Sequence, residues 1–208
     1  GASVVNALSS WLEVIVDLDG KSYKQRYERG KAVTPLTEIG ATDRTGSTVT
    51  FFPDDTIFEE TIFDYDILKE RLRETAFLTR GLKIRLTDKR EEPEREKIFH
   101  YEGGIKEYVQ YLNKGRTALY PEIIYCEGKK EETYVEVAIQ HNDTFTESCY
   151  SFVNNIITPE GGTHFTGFKN ALTKTFNAYA RQMKFLKDNE QPLSGEDIRE
   201  GIAAIISI

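Results

Sequence analysis

Three kinds of residue in this 208-residue chain have types and spacings that could do chemistry: histidines and cysteines, glycine-led helix starts, and basic side chains along a helix. His100, His141 and His164 fall on separate predicted elements and share no ligand spacing with Cys126 or Cys149, so no metal site is expected. Gly161-Gly162-Thr163-His164 turns the chain just ahead of a helix. Free N–H groups and the helix dipole can hold an anion there, while Thr163 equally suits a purely structural cap. Lys169, Lys174 and Arg181 follow on or beside the polar face of that helix, where they can meet phosphate or simply keep the face soluble. Neither GxSxG, GxxxxGK[ST] nor GxGxxG occurs, and most acidic residues lie on helix faces and loop tips where solvated charge is the default. No catalytic residue is expected in this chain.

The elements that would position these residues are legible from periodicity. Phe165, Phe168, Leu172, Phe176, Tyr179, Ala180 and Met183 recur at steps of three and four, which predicts one long amphipathic helix with that stripe against a sheet. Ahead of it, Glu147 to Ile157 reads as a strand, and Glu122 to Asn142 as a hairpin. Gly103-Gly104 opens a short helix bearing Ile105, Tyr108, Val109 and Leu112 on one face. Asp64 to Leu78 predicts another helix, and two strands flank the charged tip Arg90 to Lys97. Near the start, alternation on both sides of Asp19-Gly20 predicts a tight hairpin, with short strands at Leu36 to Ile39 and Thr48 to Phe52. Ser194 or Asp197 starts a last helix before the buried strand IAAIISI.

With 39% hydrophobic residues the chain can fill two small cores, and a net charge of −7 argues against a protein coated in positive charge. No apolar run approaches the roughly 20 residues of a membrane span, so a cytoplasmic protein with no membrane partner is expected. Cys126 and Cys149 lie in apolar, strand-rich surroundings and are expected to be buried and reduced.

Four stretches, NALS, HYEGGIKEYVQYLN, NNIITPEGGTHFTGFK and LSGEDIREGIAAIIS, resemble in that order the B-subunit family of the bacterial type IIA topoisomerases. HYEGGIK is closer to gyrase than to topoisomerase IV. The resemblance implies an α/β (α+β) chain in two parts. Residues 1–102 would be the C-terminal part of a GHKL-type ATP-binding domain, a partial sandwich. Residues 103–208 would be a transducer domain of the ribosomal protein S5 domain 2-like type, truncated at its end, with a hinge near Glu102 to Gly104. The opening residues then read as a fragment of a longer domain.

The same resemblance implies roles for particular residues. Gly1, Ala2 and Ser3 match the end of the nucleotide lid, and Gly46-Ser47 stands where the family has a Gly-Thr against adenine. Serine keeps the hydroxyl and loses a methyl. The water-activating glutamate, the magnesium-binding asparagine and the adenine-reading aspartate belong upstream, and a γ-phosphate lysine belongs downstream. ATP and Mg2+ are thus expected cofactors of the full-length protein, with neither bound to this chain and no ATPase activity in it alone. Lys169, Lys174 and Arg181 match basic residues lining a DNA cavity. The implied partners are the DNA gyrase A subunit, a second copy of the B subunit on ATP binding, and double-stranded DNA. The implied function is ATP-driven strand passage and negative supercoiling. The alternatives are a fragment of the topoisomerase IV B subunit, or a non-catalytic conformational and DNA-cavity module.

Overall fold

The computed structural model describes residues 1–208, which divide into two compact units, Gly1–Asp64 and Tyr65–Ile208. In the first, α1 (Ala2–Ala7) precedes β1 (Ser9–Leu18), β2 (Lys21–Glu28), β3 (Lys31–Ala32), β4 (Thr37–Ala41) and β5 (Gly46–Pro53). The sheet order is β3-β2-β1-β5, with β4 also pairing β2. Asp19-Gly20 and Arg29-Gly30 make its two-residue turns, with φ of 50° and 78°, then 46° and 82°. Both residues of each pair are left-handed, as a turn matched to strand twist requires.

Side-chain alternation divides the two faces of this sheet. One carries Tyr27, Leu12 and Phe51 in one cross-strand row and Val14 with Val49 in the next. The other face is held by polar contacts: the Arg26 guanidinium lies 4.6 Å over the Trp11 ring, and Lys24 pairs with Glu13 at 2.9 Å. Gly46 and Ser47, just ahead of the strand expected from Thr48, are already inside β5.

The second unit runs α2 (Tyr65–Leu78), β6 (Lys83–Asp88), β7 (Arg95–His100), α3 (Ile105–Leu112), β8 (Ile124–Lys130), β9 (Thr133–His141), β10 (Ser148–Val153), β11 (Ile156–Ile157), α4 (Thr163–Gln182), α5 (Gly195–Arg199) and β12 (Ile202–Ser207). Its main sheet has the order β11-β10-β12-β9-β8, and β6 with β7 forms a separate hairpin. The last strand sits centrally, parallel to β10 and antiparallel to β9. Its alternate residues feed two cores. Ala203 and Ile205 join Phe77, Ile105, Val109 and Phe152 on the side of α2 and α3, while Ile202, Ala204 and Ile206 join Leu172 and Ile198 on the side of α4 and α5. A strand covered on both faces must be apolar throughout, which is why IAAIISI does not alternate. Gly201, just before it, has φ of 69°, and a Cβ there would lie 2.4 Å from the Asn142 carbonyl oxygen.

Several expectations change. The run Glu147 to Ile157 is two strands, broken at Asn154-Asn155 where φ is 48° and 63°. Thr163 is the first residue of α4, and its cap position is Gly162, with no side-chain cap hydrogen bond. The α4 stripe outruns the sheet: Leu172 is buried and Phe165, Phe168 and Phe176 pack on the core, but Tyr179 and Met183 are 56% and 47% exposed. Cys126 is exposed on the edge strand β8, and Cys149 is half-buried, its thiol pushed up to about 12 by that burial; both are free. Phe77 of α2 stacks between Tyr101 and Tyr108, with ring centroids 3.8 and 4.6 Å away. That packing places α2 and the β6–β7 hairpin with α3, so the compact boundary falls at Asp64 and Glu102 to Gly104 lies inside the second unit.

Candidate functional site

The first unit holds a cavity of about 390 Å³ between α1 and the apolar face of the sheet. Ala2, Ser3, Val5 and Asn6 form the helix wall, and Leu12, Val14, Tyr27, Val49 and Phe51 form the sheet wall. No ionisable group other than the Tyr27 phenol lines it. A flat apolar ring suits such a slot, whereas a polyphosphate would find no countercharge there. A second cavity, of about 340 Å³, lies along the other flank of α1 and shares Val5 and Phe51 with the first. Phe58, Ile62 and Phe63 from the segment after β5 line it.

The nucleotide residues expected from sequence fall on two sides of this face. Ala2 and Ser3 line the first cavity, and Gly1 caps their helix. The N–H groups of Val4 and Val5 both donate to the Gly1 carbonyl, at 3.0 and 3.1 Å, so Ala2 and Ser3 are the residues whose amides precede the helical ladder. Ser47 pairs with Val16 across the β5–β1 ladder and shares the alternation of Val49 and Phe51, one row beyond them. Gly46 has φ of 143°, and a Cβ there would meet nothing within 4 Å, so backbone conformation rather than space favours glycine. The sheet wall is not among the residues expected from sequence. Its signal is present in the alternation of β1 and β5, but naming the wall requires their register.

The three basic candidates sit on α4 without converging. At 3.6 residues per turn, Lys174 and Arg181 lie within about 20° of each other around the axis, and Lys169 about 140° from Lys174. Lys169 places its ammonium 4.3 Å from the Phe165 ring centroid, and Lys174 is exposed. Arg181 donates to the carbonyl oxygens of Lys187 and Glu190, at 2.7 and 3.1 Å. Asn177 exchanges two hydrogen bonds with the Leu193 backbone, at 2.8 and 2.9 Å, so both residues fasten the 187–193 connection to the helix.

The histidines are engaged separately: His100 with Glu102 at 2.6 Å, His141 between the Tyr120 hydroxyl and the Ile198 carbonyl at 2.8 and 2.7 Å, and His164 with Thr158 at 3.1 Å. No group of three or more His, Cys, Asp or Glu side chains is placed to hold a metal ion.

Comparison with known proteins adds four findings. The family model described as DNA gyrase B matches residues 104–208. The B subunit of DNA gyrase from Clostridium acetobutylicum is 52% identical over 209 residues, covering 100% of this chain and 32% of that protein. The B subunit of DNA topoisomerase 4 from Enterococcus faecalis is 54% identical over 210 residues, covering 100% and 30%. The chain thus spans about a third of the length of these curated relatives. Among solved structures, the 43K ATPase domain of Thermus thermophilus gyrase B, in complex with an aminocoumarin, superposes with a TM-score of 0.87 at 36% identity, over 99% of this chain and 56% of that one.

Proposed function

The chain belongs to the DNA gyrase B family, and from that premise we propose that it is part of the ATPase region of a type IIA topoisomerase that couples ATP binding and hydrolysis to DNA strand passage. The observation that carries this reading is the superposition of 99% of the chain on a gyrase B ATPase domain, with the apolar α1 cavity formed within it. Residues 1–102 are assigned to the ATP-binding domain and residues 103–208 to the transducer, a division by lineage that differs from the compact boundary at Asp64.

In this reading the cavity receives the adenine end of ATP, with Ala2 and Ser3 on one wall and Ser47 and Gly46 at the edge of the other. The phosphates extend toward Gly1 and the remainder of the ATP-binding domain. Magnesium is held with them by residues outside this chain. The partners are the gyrase A subunit, a second B subunit and double-stranded DNA, in the cytoplasm; no helix here is long and apolar enough to cross a membrane. Lys169 and Lys174 are the better DNA-cavity candidates, because Arg181 already fastens a connection.

The test is a complete gyrase B subunit carrying these 208 residues in place of its own matching stretch. Assembled with the gyrase A subunit it should supercoil DNA on ATP addition, and the 208-residue chain alone should show no melting shift with a non-hydrolysable ATP analogue and magnesium. Activity only with the A subunit of topoisomerase IV would favour the second reading, which the 54% identity to a topoisomerase 4 protein motivates. Charge reversal of Lys169 and Lys174 should weaken supercoiling most at low salt, where phosphate contacts are least screened. Unchanged supercoiling would remove them from the DNA path.

A further inference from the structure

α1 is a poor candidate to hold its own position. It has six residues, no buried side chain, and no side-chain cap at Gly1. A helix that short is not stable by itself in water. Its C-terminal end is nevertheless fastened twice. On one side the Arg29-Gly30 turn abuts it: the Arg29 N–H donates to the Ser9 carbonyl at 3.1 Å, and a Cβ on Gly30 would come within 3.3 Å of the Ala7 Cα. On the other side the Asp54 N–H donates to the carbonyl of Leu8, the C-cap residue, at 3.0 Å. The two fastenings are joined by one ion pair, Arg29 Nε to Asp54 Oδ2 at 2.7 Å, in which the carboxylate is fully buried and the guanidinium covers it.

Asp54 is itself rigidly placed. Its Oδ1 accepts from the Thr56 N–H at 3.0 Å and from the Thr56 hydroxyl at 2.6 Å. Both oxygens of this buried group are thus spent on Arg29 in the β2–β3 turn and on Thr56 just past β5, which fixes the Asp54 backbone whose N–H holds the C-cap of α1. A buried carboxylate with such partners is costly to disturb, because removing one leaves the other unpaired. Nothing in the nucleotide reading uses it directly.

We propose that Arg29 and Asp54 are positioning residues for the nucleotide: by tying down the C-terminal end of α1 they set the height of the Ala2, Ser3 and Val5 wall above the sheet, and with it the width of the cavity. This rests on the reading of that cavity as the adenine site. Neither residue touches the ligand; they act through α1.

The experiment has two arms. In the 208-residue chain, hydrogen exchange is followed at the amides of Val4, Val5 and Leu8, which make the helical bonds of α1, and at Val14 and Ile15 in the sheet. Asp54→Ala should reduce protection at the first three by about tenfold or more while the sheet amides hold. Asp54→Asn, which keeps an acceptor for Thr56 but not the charge, should give a smaller loss, and Arg29→Lys should restore most of the protection that Arg29→Ala removes. In the complete chimeric subunit, the same variants should raise the KM for ATP by about tenfold, with the loss carried by KM rather than kcat and with Arg29→Lys again rescuing. Unchanged α1 protection in Asp54→Ala overturns the clamp. Loosened α1 with unchanged KM overturns the positioning role. A wild-type chimera that folds but neither binds nor hydrolyses ATP brings down the adenine-site reading, and the positioning role with it, while the exchange arm still reports on the clamp.

Discussion

Asp54 and Asp88 are neighbours of arginine in different units, and the same electrostatics governs both. The Arg29 guanidinium, then the Thr56 hydroxyl and N–H, hold the Asp54 carboxyl at about 2 rather than the ordinary 3.8. The Arg90 and Arg95 side chains, then the Arg90 N–H, hold Asp88 well below the usual carboxylate range. In each case the folded value lies below the unfolded one, so the folded state binds fewer protons than the unfolded state through the acid range. The stability they contribute is present above the unfolded value and is lost as pH falls from about 4 toward the folded values. Thermal melts should therefore show a midpoint that drops below pH ~4, and Asp54→Asn should flatten part of that fall. An acid limb of equal steepness in the variant would show that Asp54 is not paired in the folded chain. No pattern of letters hints at this site. Asp54 and Asp55 follow Pro53 as identical residues, and which of them is buried depends on how β5 ends against α1. Ser194 and Asp197 are the contrasting case: their spacing three apart ahead of an apolar run is itself the capping signal, and the reciprocal bonds are present at 3.1 and 3.0 Å.

Among elements, α4 separates what periodicity can and cannot say. The steps of three and four predict an apolar stripe, and one exists, but they contain nothing about the length of the sheet beneath it. The stripe is used only from Phe165 to Phe176, where it covers Val137, Ile139 and the alternate residues of β12. Beyond that point Tyr179 and Met183 project past the sheet, and the helix end is held by polar fastenings instead, with Asn177 and Arg181 on the returning connection. Phe176→Ala should therefore cost about 2 kcal/mol. Met183→Ala should cost under about 0.5 kcal/mol, as for an exposed site. Denaturant titration of the two variants checks the contrast, and equal losses would mean that the outer half of the stripe is covered in solution. The same limit applies to β10 and β11. A run of β-forming residues reads as one strand until the left-handed Asn154-Asn155 pair is known, and asparagine's tolerance of that conformation is a permission rather than a signal.

At the scale of the whole molecule, burial is unevenly shared between the two units. The second has two cores, one on each face of a five-stranded sheet, closed by α2 and α3 on one side and α4 and α5 on the other. The first has a sheet of equal strand number, but of its large apolar side chains Leu12 is buried while Val49, Phe51, Phe58 and Phe63 are each more than a third exposed. Hydrophobic stabilisation scales with the apolar area removed from water, so the first unit has the weaker claim to independent stability and the second the stronger. The boundary proposed above lies near Glu102, yet cutting there would separate Phe77 from Tyr108 and Ile105, with which it shares a core. Limited proteolysis at low protease concentration, read by mass spectrometry, should accordingly leave a resistant piece that begins near Tyr65 and includes α2 and the β6–β7 hairpin. A resistant piece beginning near Gly103 would instead mean that α2 leaves its core readily, and that the motion between ATP-binding and transducer parts is hinged at Glu102 to Gly104 after all.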